Sequence, residues 1–76
     1  MTDEQLVLQV VLDNSGHIAD LNTTIESLDL DSLEFVELML QVENAFSVKI
    51  PEVAMVRINK VLDILTEINA ARLVQG

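Results

Sequence analysis

Where a polar connection gives way to a helix-like pattern, in the stretch Ser27-Leu28-Asp29-Leu30-Asp31-Ser32-Leu33-Glu34-Phe35-Val36-Glu37-Leu38, the hydroxyl of Ser32 stands among carboxylates. That helix-like pattern is the longest in the chain. Asp31-Ser32-Leu33-Glu34 reads as a capping box with Asp31 at the N-cap, which makes Ser32 a first-turn residue. A helix start presents free backbone amides and the positive end of the dipole, so it favours a phosphate attached to an exposed serine. Structural capping and covalent modification are compatible on these residues, and capping alone suffices to explain the tripeptide.

Other chemistry finds little support. The one histidine, His17, sits in a polar connection and reads as a loop residue rather than a metal ligand or general base. Without cysteine there is no thiolate nucleophile, disulfide scaffold or Cys-ligated zinc. Gly16 and Gly76 are the only glycines, so no glycine-rich phosphate loop exists. Asp29 and Asp31 followed by Leu33 and Glu34 lack the central glycine and regular oxygen ligands of an EF-hand. No metal site is expected beyond weak divalent binding that would relieve carboxylate repulsion. The chain reads as non-catalytic.

Seventy-six residues make one domain, residues 1–76, near the lower limit for a single core without disulfides or metal. Half of them are apolar, yet only Phe35 and Phe46 are aromatic, so the core is aliphatic. Thirteen acids against four bases give a net charge of -9. Such a field repels nucleic acid and anionic membrane surfaces and speeds encounters with proteins that carry basic patches. The N-terminus lacks the basic region and apolar run of a signal peptide, and Leu6 to Leu12 is too short to span a bilayer. A soluble cytoplasmic monomer is the expectation.

The elements that must position Ser32 follow from the pattern. Thr2-Asp3-Glu4-Gln5 is a second capping box and opens a helix to about Asn14, closed by Gly16. Ser15 to Leu30 is a long polar connection that Ile18, Leu21, Ile25 and Leu28 would pin to the core. The next helix runs from Ser32 to Phe46, with Phe35, Leu38, Met39, Val42 and Phe46 on its core face. Leu33, Val36 and Leu40 interrupt the opposite face beside Glu34, Glu37, Glu43 and Asn44, and an apolar stripe rimmed by acids suits partner docking. Pro51 starts a short helical segment, Glu52 to Arg57. Asn59 is placed to cap a last helix from Lys60 to about Leu73, with Val61, Ile64, Leu65 and Ile68 inward and Lys60, Asp63, Glu67 and Arg72 mostly outward. The fold class is all-α: a small four-helix bundle of three main helices and one short third helix, with a long first loop.

On these residues the chain resembles the acyl carrier proteins. The likeness runs without a gap from Glu26 to about Ile68 and includes Leu28, Asp31-Ser32-Leu33, Val36-Glu37-Leu38, Ile58, Val61 and Ile64. Asp-Ser-Leu alone is weak, but joined to Glu43, Phe46 and Ile50-Pro51 in an acidic chain of this length it is specific. The resemblance implies that Ser32 receives 4'-phosphopantetheine from coenzyme A through a separate magnesium-dependent phosphopantetheinyl transferase. It implies that Asp31 is engaged by that transferase, and that Leu33, Glu34, Val36, Glu37, Leu40 and Glu43 belong to the recognition helix. Acyl groups would ride on the arm as thioesters, shelter between helices, and pass to acyl-loading, condensing or acyl-transfer enzymes of fatty acid, lipid or polyketide synthesis.

Two stretches depart from the family pattern. Asp29-Leu30 replaces a glycine and a small residue, so a different turn is expected before the helix. Val53-Ala54-Met55-Val56-Arg57 is apolar where housekeeping members are acidic; if not all buried, Val53, Met55 and Val56 point to a specialised carrier. The alternatives are an aminoacyl, peptidyl or D-alanyl carrier, for which Asp29-Leu30 does not match the usual Gly-Gly, and a non-carrying acidic interaction module, which leaves the placement of Ser32 to coincidence.

Overall fold

The computed structural model describes the backbone of residues 1–75 and the side chains of residues 1–73. Its helices are α1 (Asp3–Ser15), α2 (Ser32–Phe46), α3 (Glu52–Met55) and α4 (Val61–Gln75), with a 3-10 turn at Glu26–Leu28. This is the four-helix, all-α arrangement expected, and no strand occurs among the described residues. α1 begins where its capping box predicts: Thr2 Oγ1 accepts from the Gln5 amide at 3.1 Å and Gln5 Oε1 from the Thr2 amide at 3.0 Å. It ends at Gly16, whose φ of 74° is the left-handed state in which glycine alone meets no Cβ penalty.

α1 packs against α2 and α4. Val7 and Val11 from α1, Leu38, Met39 and Val42 from α2, and Val61, Ile64 and Ile68 from α4 are fully buried and form the centre of the core. Each such side chain contributes about 1.5–3 kcal/mol by leaving water, and together they fix the helix that carries Ser32. Phe35 and Leu65 are only partly buried at its margin. Near the chain ends, Arg72 joins Asp3 at 2.6 Å and lies 5.2 Å from the Phe46 ring centroid, tying α4 to the first turn of α1 and the last of α2. The hydrogen bond from Arg72 holds the Asp3 carboxyl below the ordinary carboxylate range.

The long first connection is anchored differently from the expectation. Leu28 is buried, and Leu21 and Ile25 pack partly against the core, but Ile18 is 92% exposed and pins nothing. The main anchor is backbone pairing with the start of α4. The Ile25 amide donates to the Asn59 carbonyl at 2.8 Å, and the Val61 and Leu62 amides donate to the Thr23 and Leu21 carbonyls at 3.0 and 2.9 Å. A helix start has orphan amides that need acceptors, and the connection supplies them. Asn59 is not the cap: its side-chain nitrogen turns back to the Arg57 carbonyl at 3.4 Å. The capping carboxylate is Asp63, which accepts from the Asn59 and Lys60 amides at 2.9 and 3.0 Å. Those two bonds, Asn59's first, lower the Asp63 pKa.

Candidate functional site

The turn before Ser32 is built from two unlike residues. Asp29 closes the 3-10 turn, its amide bonded to the Glu26 carbonyl at 3.2 Å, and adopts φ 56° and ψ 35°. That left-handed state suits glycine best and aspartate better than most residues. Two residues on, Asp31 is extended, with φ -78° and ψ 177°, and starts α2. Its Oδ1 accepts from the Glu34 amide at 2.8 Å, and Glu34 Oε1 accepts from the Asp31 amide at 3.2 Å.

The box satisfies the third amide of the helix and leaves those of Ser32 and Leu33 without a protein acceptor among the described residues. Ser32 is exposed at this electropositive end. Beside it lies a shallow cleft of about 290 Å³, with Asp31 and Ser32 at one edge and Ile25, Leu30, Phe35, Met55 and Ile58 around it. A hydroxyl, two amides without a protein acceptor among the described residues and a cleft lined by both polar and apolar residues thus meet at one turn. They suit a phosphate linkage with an apolar group behind it.

The outer face of α2 carries Leu33, Val36 and Leu40 at 75, 45 and 51% exposure. Its three acids differ. Glu34 is exposed but engaged in the capping box. Glu37 is exposed and makes no hydrogen bond or ion pair among the described residues. Glu43 is half-buried, and its Oε2 accepts from the Ile50 amide at 2.7 Å. In α3 and just after it, Ala54 is buried, Met55 half-buried, and Val53 and Val56 are 69 and 82% exposed.

Residues 5–68 match the family model described as "Phosphopantetheine attachment site". Acyl carrier proteins from two strains of Rickettsia bellii are similar to this chain. That of strain OSU 85-389 is 35% identical over 69 residues, covering 86% of this chain and 85% of its own. That of strain RML369-C is 36% identical over 69 residues, covering 86% and 80%. The chain belongs to the acyl carrier protein family. The carrier is therefore a non-catalytic protein that works with covalently bound 4'-phosphopantetheine and interacts with modifying and acyl-handling enzymes. That group, when bound, supplies the thiol on which acyl groups travel.

The carrier's structure brings Asp31, Ser32, Leu33 and Glu34 into one turn and sets Val36, Glu37 and Leu40 along the face that follows. Sequence reasoning did not find the cleft walls. Ile25 was read as an anchor of the connection to the core, and Leu30 only as part of the Asp29-Leu30 departure from the family pattern. Met55 and Ile58 come from a segment whose approach to Ser32 depends on the path of the α2–α3 turn. No helix among the described residues is long and apolar enough to cross a membrane.

Proposed function

We propose that Ser32 is the attachment residue, and that the carrier is the substrate of a phosphopantetheinyl transferase that engages Asp31 and the first turns of α2. In the transfer, Ser32 Oγ gives up its proton and forms the new P–O bond. The pyrophosphate link of coenzyme A breaks, and adenosine 3',5'-bisphosphate leaves. The observation that carries this reading is the exposed Ser32 hydroxyl at the first helical position, beside two amides that no protein acceptor takes among the described residues. Intact-mass analysis after incubation with coenzyme A, magnesium and a broad-specificity transferase tests it. One phosphopantetheine is gained by the wild type and none by Ser32→Ala; a folded wild type that gains nothing refutes it.

Docking follows from charge and exposure. Leu33, Val36 and Leu40 supply apolar contact, while Glu37, with Glu34 beside it, meets Lys or Arg on partner enzymes. Once a carrier docks, its arm makes each later reaction effectively intramolecular, so weak, charge-steered encounters suffice and tight binding would slow the handover. The exposed Val53 and Val56 favour partners with an apolar surface next to the arm, and with them a specialised carrier serving a dedicated lipid or polyketide pathway in the cytoplasm.

A further inference from the structure

We infer that Glu43 is a positioning residue of the carrier: it fixes the α2–α3 turn and through it the Met55–Ile58 wall of the Ser32 cleft. The inference deepens the attachment reading, in which that cleft flanks the arm. Glu43 holds the turn at three points. Its backbone carbonyl accepts from the amides of Ser47 and Val48, the latter at 3.1 Å. Its carboxylate reaches seven residues ahead to the Ile50 amide at 2.7 Å. Val48 and Ile50 are 6 and 5% exposed, and the bond is partly buried, so leaving the Ile50 N–H unpaired would carry a cost.

The turn needs such a clamp. Ser47 sits at φ 55°, a left-handed state that a serine adopts against its steric preference. The chain then runs through extended Pro51 into α3, which has four residues and no side-chain cap. A helix that short cannot sustain itself, so its position is inherited from the turn before it. Met55 ends α3, Ile58 follows, and both line the same cleft as Ser32. A carboxylate that served mainly as a docking charge would be exposed and free, as Glu37 is; Glu43 is half-buried and bonded.

Two variants separate reach from charge. Glu43→Gln keeps an acceptor at the same distance and removes the charge; Glu43→Asp keeps the charge and falls one methylene short. Amide exchange and methyl spectra of the unmodified carrier are compared with those of wild type and of Glu37→Gln. Glu43→Asp is expected to speed Ile50 amide exchange about tenfold and to move the Met55 and Ile58 methyl signals, whereas Glu43→Gln stays within about threefold of wild type. The salt dependence of transferase KM should flatten in Glu37→Gln and keep its wild-type slope in Glu43→Gln. A wild-type Ile50 exchange rate in Glu43→Asp overturns the inference. So does a salt slope in Glu43→Gln that matches Glu37→Gln. The exchange measurement uses the unmodified chain, so it stands or fails separately from the attachment of the arm at Ser32.

Discussion

At the start of α2, Asp31 and Glu34 exchange hydrogen bonds, and the Ser32 and Leu33 amides keep no protein acceptor among the described residues. At the start of α4, Asp63 accepts from the Asn59 and Lys60 amides, while the Thr23 and Leu21 carbonyls take those of Val61 and Leu62. Both helix starts engage nearby amides with carboxylates, Asp31 and Glu34 at α2 and Asp63 at α4. They differ in what lies in front. The long connection folds back over the start of α4 and closes it, with Val61 fully buried; among the described residues no segment pairs with the free amides at the start of α2, and Ser32 is exposed. One helix start thereby holds the connection in place, and the other stays accessible to a partner.

Proline at the first helical position of each helix should separate the two starts most strongly. Proline removes the amide but suits helix entry after an extended residue. Val61→Pro should cost about 3 kcal/mol, because the Thr23 carbonyl loses its donor and a buried side chain shrinks. Ser32→Pro should stay within about 0.5 kcal/mol of wild type, since its amide has no protein acceptor among the described residues and Asp31 is already extended. Urea midpoints read both. Val61→Ala separates the side-chain loss from the lost hydrogen bond.

Next in size is Glu37→Lys, which reverses the free charge on the open side of the comparison. Transferase kcat/KM at low salt should fall roughly tenfold, and its salt dependence should flatten. Unchanged kinetics and slope would remove Glu37 from docking.

Asp63→Ala probes the closed side and should cost about 1 kcal/mol at pH 7 as a lost cap. Because the folded-state pKa of Asp63 is lowered, its contribution is present above the unfolded value of about 4 and is lost as pH falls through the lower folded value. The stability gap between wild type and variant should therefore narrow in acid; a gap that persists unchanged there would mean that the charge is not what caps α4. The smallest effect belongs to Asp29→Gly. It should stabilise by about 0.5 kcal/mol or less, since relief of the left-handed backbone is partly offset by unfolded-chain entropy.

Legibility in the sequence followed the range of the interactions. Both capping boxes, the boundaries of α2 and its core face of Leu38, Met39, Val42 and Phe46 could be read directly, because they depend on residues three or four apart. The expected roles of Ile18 and Asn59 failed because each was decided by a distant partner. Ile18 stays exposed at the surface, and the amides near Asn59 were taken by Asp63 and by carbonyls from residues 21 and 23. Glu43 stood in the right helix, but its bond to Ile50 depends on how the turn closes, which periodicity does not encode. Ser32 and its acidic neighbours were legible as a motif; the cleft beside them was not.

The most direct measurement is fragmentation mapping of the carrier after enzymatic modification with coenzyme A. The open start of α2 predicts that the phosphopantetheine ester is found on Ser32 and on no other serine. A modified protein whose added mass maps to Ser15, Ser27 or Ser47 would contradict the central claim, as would a folded, correctly treated chain with no added mass at all.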